Sequence, residues 1–154
     1  MPKIEDRLTQ LGLTLPQTAA PAANYLPYVQ TGHLVMVSGQ ITMLNGELLY
    51  LGRIGEDFSV DEGYEAAKLC GLNLIAQIKD ACGGDLDRVT RVVRLGGFVN
   101  SAPKFTGHPK VINGASDLMV NVFGEIGKHA RAAVGVTCLP LGVAVEVDGV
   151  FEVK

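Results

Sequence analysis

Near the C-terminus one arginine, Arg131, and two acids, Glu146 and Asp148, are set among very small side chains: Ala133, Gly135, Thr137 and Ala144. A guanidinium is a planar, permanently charged fork of donors that can hold a carboxylate through two parallel hydrogen bonds. Small residues around such a group leave room for a ligand or a second subunit. An arginine that simply faces solvent is the other reading, and spacing leaves both open. Alternation assigns two strands here, Arg131 to Cys138 and Val143 to Phe151, joined by a turn over 139–142. Pairing Cys138 with Val143 puts Ala132, Val134, Val136, Val145 and Val147 on one face. Arg131, Gly135, Thr137, Glu146 and Asp148 then share the other. In that register Glu146 faces Gly135, roughly 13 Å from Arg131 at about 3.3 Å per residue. That is too far for a direct ion pair. The two groups would meet through a substrate, a water or a subunit boundary.

Other chemistries find little support. His33, His108 and His129 lack the spacing of a metal site, so no metal and no organic cofactor is expected. The Gly83-Gly84 and Gly96-Gly97 pairs have neither a P-loop lysine nor a dinucleotide fingerprint. Ser38 has no evident His/Asp partners for nucleophilic work. Cys70, Cys82 and Cys138 form no CxxC pair and read as buried, reduced thiols. Thirteen Lys and Arg against sixteen Asp and Glu give a net charge of −3, the wrong balance for a surface that neutralises phosphates, so nucleic acid is disfavoured as a partner. With no apolar run of roughly 18–20 residues and no signal core at the N-terminus, the chain is expected to be soluble and cytoplasmic, without a membrane partner.

The elements that must position these residues are legible in part. Residues 1–21 read as an N-terminal helix over Pro2 to Leu13, stopped by Gly12, followed by a proline-rich arm; 22–154 read as one globular domain, since 47% hydrophobic residues suffice for a sizeable core. A strand is expected over 33–38, then a hairpin turn at Asn45-Gly46 with a return strand over 47–51. Ser59 and Glu62 form a capping box ahead of a long apolar stripe from Tyr64 to Cys82, ended by Gly83-Gly84. Leu69 and Leu72 lie off that stripe and call for additional cover. A strand over 89–99 carries the Gly96-Gly97 pair, which signals a bulge or a close approach. A second helix is expected over 116–126. Strands mixed with two main helices point to an α+β domain with its helices on one sheet face.

Several of these segments together carry a resemblance. Pro27-Tyr28-Val29-Gln30, Val37-Ser38-Gly39-Gln40-Ile41, Val111-Ile112-Asn113, Ala130-Arg131-Ala132-Ala133-Val134, Leu139-Pro140 and Val145-Glu146-Val147 resemble the RidA/YjgF family, also called the endoribonuclease L-PSP or translation-inhibitor family. The likeness spans roughly Ala22 to the C-terminus, and the fifteen residues from Arg131 to Glu146 keep the family's spacing. It implies a chorismate-mutase-like subunit, a mixed sheet with two helices on one face, assembled as a homotrimer with clefts between subunits. It also implies an enamine/imine deaminase, a hydrolase that converts small carboxylate-bearing imines to 2-keto acids and ammonia without a cofactor. Carried over by position, Arg131 is the carboxylate anchor and Glu146 the buried acid, the two catalytic candidates; Tyr28, Ser38 and Asn113, the last placed just before the second helix, are the substrate-binding candidates. A glutamate beside a held water suits the proton acceptor that imine hydrolysis needs. Three departures mark an elongated, distinct branch. Ala133 replaces a polar residue two positions after the arginine, the 100–116 segment with His108 is long, and the N-terminal helix and arm are additions. A trimeric metabolite binder without turnover is the alternative function; the ribonuclease of the family's name fits the acidic balance poorly.

Overall fold

The computed structural model describes residues 2–18 and 24–154. Helix α1 covers Lys3–Gln10, shorter at both ends than the spacing predicts. The Asp87 carboxylate accepts from the Lys3 and Ile4 amides at 2.8 and 3.0 Å, and Gly12, at φ +67°, turns the chain out of the helix. Leu8 anchors α1 in the main core. Residues 19–23 of the proline-rich arm lie outside the described residues, and before them the Gln17 amide donates to Asn45 Oδ1 at 2.9 Å.

Strands β1 (Tyr28–Thr31) and β2 (Leu34–Ile41) come next, then the small hairpin β3 (Met43–Leu44) and β4 (Glu47–Leu48). Its Asn45-Gly46 turn has both residues at positive φ, as the dipeptide predicts. Helix α2 spans Val60–Ala81 behind the expected capping box, with Glu62 N donating to Ser59 Oγ and Ser59 N to Glu62 Oε1, both at 3.1 Å. Leu69 is only 8% exposed within the single chain, and the partly buried Leu72 packs against the core, so the chain itself supplies much of the cover they call for. Cys138 is exposed, unlike Cys70 and Cys82, which corrects the expectation of three buried thiols.

Strand β5 is Val89–Asn100, helix α3 His108–Phe123, β6 Ala130–Val136 and β7 Val145–Val153. Helix α3 starts eight residues earlier than expected. Pro109 fits its first turn. Gly114, a poor helix former by propensity, sits where α2 and α3 cross so closely that a Cβ would collide with the Tyr64 carbonyl. Asn113 therefore lies inside the helix and not before it.

The five-stranded sheet runs β1-β2-β7-β5-β6, antiparallel throughout except for β5 and β6, which are parallel. The expected terminal hairpin does not form. The long apolar β5 inserts between its two arms: Gly97 faces Ala133 on one side and Val147 on the other. A parallel pair needs a crossover, which α3 supplies. The pairing also reverses the expected faces of β6. Ala133 packs on the core and Val134 is 45% exposed. Gly97 is a close-approach glycine, since a Cβ there would strike Ile112 of α3. The irregularities of β5 fall elsewhere, between 89 and 94.

Candidate functional site

Arg131 sits on β6, an edge strand, level with Leu95 and therefore on the sheet face that α3 covers. Its Nη1 donates to Asn113 Oδ1 at 2.7 Å and to Ser116 Oγ at 3.2 Å, and Nη2 reaches the Pro109 carbonyl at 3.5 Å. His129 extends the chain of bonds. Its Nδ1 lies 2.6 Å from the Gly127 carbonyl, which can only accept, so Nδ1 carries the hydrogen. In the neutral ring Nε2 then accepts from Ser116 at 2.8 Å, leaving the Ser116 oxygen to accept from Arg131. The half-buried guanidinium is thus oriented by neutral partners that leave its charge uncompensated. Its Nε has no hydrogen-bond partner among the described residues. That edge of the fork remains for a carboxylate.

Glu146 is elsewhere. It pairs in register with Phe98 of β5 and Ile41 of β2 on the sheet face away from the helices. Arg131 and Glu146 thus occupy opposite faces with β5 between their strands, which corrects the shared face expected from the hairpin. The Glu146 carboxyl lies against Gly39, where a Cβ would come 2.7 Å from Oε1. The register shift between Val37 and Gln40 opens β2 at this point. Burial first, and the Asp148 charge second, push the Glu146 carboxyl above the usual carboxylate range. No hydrogen bond or ion pair among the described residues offsets that.

Glu146 lines a cavity of about 390 Å³ together with Ser38, Gly39, Ile41, Gln77 and Leu141, among others. Ser38 donates to the Leu26 carbonyl at 2.7 Å and its amide to the Pro27 carbonyl at 2.9 Å, fixing the chain before β1 as one wall. Tyr28 stands apart. Its hydroxyl donates to Asp80 Oδ2 at 2.7 Å, and that bond, with burial, raises its pKa; Tyr25 and Pro27, not Tyr28, line the cavity. The fold therefore joins Ser38 with Glu146 and Arg131 with Asn113, and keeps the two pairs separate.

Ser116 and Gln77 carry no sequence motif, and Gly39, notable in the sequence only as part of the segment around Ser38, proves to be the glycine on which the Glu146 carboxyl rests. The 100–116 segment shapes a second cavity of about 400 Å³, next along β6 from Arg131. There His108 Nε2 lies 3.1 Å from Ser101 Oγ, over Gly135, and Arg53 donates to the Thr137 carbonyl at 3.0 Å. Among the described residues one acidic group, Glu5, Asp85 and Asp87, is compact enough to consider for a metal. Its carboxylates already accept backbone amides that hold α1 against the turn at Leu86–Arg88, and no histidine joins them. No described helix is long and apolar enough to cross a membrane.

Residues 5–151 match the model of the family described as YjgF/chorismate mutase-like, which also bears an endoribonuclease description. The chain belongs to that family. Protein TCP17 of Trypanosoma cruzi is 49% identical over 153 residues, covering 99% of this chain and 95% of that protein. A crystal structure of a proposed endoribonuclease from Shewanella oneidensis MR-1 is 43% identical with a TM-score of 0.95, covering 98% of this chain and 99% of that one. RidA from the Antarctic bacterium Psychrobacter sp. PAMC 21119 is more distant, at 27% identity and a TM-score of 0.61 over 89% of this chain and 94% of that one. The family membership, the α+β chorismate-mutase-like fold and a short N-terminal helix stand as the sequence implied. The family match, from residue 5, takes in most of that helix, which corrects the expectation that it is an addition.

Proposed function

We propose that this YjgF-family protein is a RidA-type enamine/imine deaminase acting on small carboxylate-bearing imines in clefts between subunits of a homotrimer. The observation that carries the reading is the half-buried carboxyl of Glu146, which has no hydrogen-bond or ion-pair partner among the described residues and lies in a cavity lined, among those residues, by no cation. Arg131 has the complementary deficit at the sheet edge, and a second copy is the simplest source of each missing half. The exposed Val29, Met36 and Val134 lie on strands of the face away from the helices, where a neighbouring copy would cover them.

In the assembled cleft Arg131 of one copy binds the substrate carboxylate and sets the C=N carbon beside Glu146 of the next. A water held by Glu146 attacks that carbon. Glu146 takes a proton from the water as the C–O bond forms and gives it to the imine nitrogen, leaving a carbinolamine; it then takes the hydroxyl proton as the C=O bond forms and gives it to the departing amine as the C–N bond breaks. The products are a 2-keto acid and ammonia. A carboxyl raised above its ordinary value is a stronger base than a free one and suits this two-way transfer. Ala133 beside Arg131 adds no polar contact, so orientation falls to Arg131 with Asn113.

The test is ammonia release from 2-aminoacrylate generated in situ. Wild type should accelerate it over spontaneous hydrolysis, and Glu146→Gln should not. Binding of 2-keto acids without any acceleration would replace the deaminase by the metabolite binder.

A further inference from the structure

We propose that Gln77 reads the end of the substrate's side chain, so that the site takes 2-imino acids whose side chain is an apolar stem ending in a neutral hydrogen-bonding group, a carboxamide above all. This rests on the reading of the Glu146 cavity as the deaminase site. Gln77 is on α2, only 2% exposed, and lines the cavity that holds Glu146. None of the side-chain hydrogen bonds of the described residues involves its amide. Asn73, one turn earlier, lines the same cavity but is occupied with the fold. Its Nδ2 donates to the Ile41 and Met43 carbonyls at 3.2 and 2.8 Å, holding the end of β2 onto α2.

A buried primary amide brings two donors and an acceptor oxygen, and such groups in folded proteins are almost always paired. Among the described residues nothing hydrogen-bonds the Gln77 amide, which is not sealed in the core but faces a space a ligand can enter. The walls include the apolar Pro27, Ile41, Met43 and Leu141, which suit a hydrocarbon stem, beside the polar Gln17, Ser38 and Gln40 nearer the opening of β2 and the N-terminal arm. A volume of about 390 Å³ is within the range of sites that enclose ligands much larger than a three-carbon imine. The chemistry of the end group follows from Gln77 and Glu146 together. A carboxamide donates to the Gln77 oxygen and accepts from its nitrogen at once. A terminal carboxylate would meet the like charge of Glu146 and offer no donor, and an ammonium would leave the Gln77 nitrogen unmet.

The imines of glutamine and methionine, formed in situ by an amino-acid oxidase and trapped with semicarbazide, differ chiefly at the side-chain end. Wild type should process the glutamine-derived imine about tenfold more efficiently in kcat/KM, because a site built to hydrogen-bond rejects the analogue that cannot. Gln77→Met and Gln77→Leu should each invert the order, with melting temperatures equal to or above wild type, since each replaces an amide that no described residue hydrogen-bonds. Equal efficiency in wild type, or a preference unchanged in the variants, overturns the assignment and leaves the deaminase reading intact. A marked loss of melting temperature in both variants also overturns it, by showing that the amide is paired within the chain. If wild type accelerates neither these imines nor 2-aminoacrylate, the deaminase reading fails, and calorimetric titration of the unreactive 2-hydroxy acids with the same two side chains decides Gln77 alone. Tenfold tighter binding of the carboxamide, lost in Gln77→Met, supports the assignment, and equal affinities overturn it.

Discussion

The Glu146 carboxyl rests on Gly39, in a space that any side chain at position 39 would occupy. Gly39→Ala should therefore displace the carboxyl while sparing the fold, because the atoms that must give way are the far end of a flexible side chain. An ångström of misplacement at a reacting group can cost up to roughly a hundredfold in rate. The expected result is a large fall in imine hydrolysis with a melting curve near that of wild type. Unchanged hydrolysis would mean that Glu146 need not sit where it does.

Stability should carry the signature of the same carboxyl. Its folded-state pKa is raised, so the folded chain holds that proton more tightly than the unfolded chain. The associated stability is fully present below the ordinary carboxylate range and is lost as pH rises through the raised folded value. Glu146→Gln removes this loss. The variant should melt at a higher temperature than wild type at neutral pH, with the gap closing as pH falls through the carboxylate range. Parallel melting-temperature profiles across that window would contradict the burial assigned to Glu146.

Arg131→Lys keeps the charge and loses the fork. A charge-assisted bidentate contact is worth on the order of 1.5–3 kcal/mol, so affinity for small 2-keto acids should fall about ten- to hundredfold. Arg131→Ala should lose more, and both should still fold. Calorimetric titration with a melting curve for each variant is the measurement, and equal affinities in all three proteins would remove Arg131 from the site.

The Tyr28 hydroxyl is engaged with Asp80, and within the single chain Tyr28 does not line the Glu146 cavity. Tyr28→Phe should cost less than about 1 kcal/mol of stability, the low end for a hydrogen bond near the surface. Affinity for 2-keto acids should not change. A tenfold loss of affinity in that variant would show that the hydroxyl turns to the substrate in the assembled protein.

The exposed face of β6 gives a test of assembly. Light scattering of wild type at micromolar concentration should return three times the chain mass. Val134→Lys, placing a charge on a residue that is 45% exposed in the single chain, should shift the mass toward the monomer with the secondary structure retained. A monomeric wild type would remove the shared cleft, and the proposed reaction with it.

Features that depend on neighbours a few residues away are written in the chain. The Ser59/Glu62 box, the Asn45-Gly46 turn and the Gly83-Gly84 stop are local interactions, so their residues announce them. The recurring Arg131, Glu146, Asn113, Ser38 and Tyr28 segments also carried the family, and with it the α+β fold. Tertiary structure alone decided the order of the sheet. The turn over 139–142 reads as a hairpin because nothing in Arg131 to Phe151 records that β5, more than thirty residues upstream of β7, will insert between the two strands. That insertion makes β6 the parallel partner of β5, and because side chains alternate with a period of two, it alone decides that Arg131 faces α3 and Glu146 the opposite side. The early start of α3 was hidden for a related reason. Gly114 disfavours a helix interior locally, and only the tight crossing of α2 and α3 makes a glycine there a requirement instead of a defect.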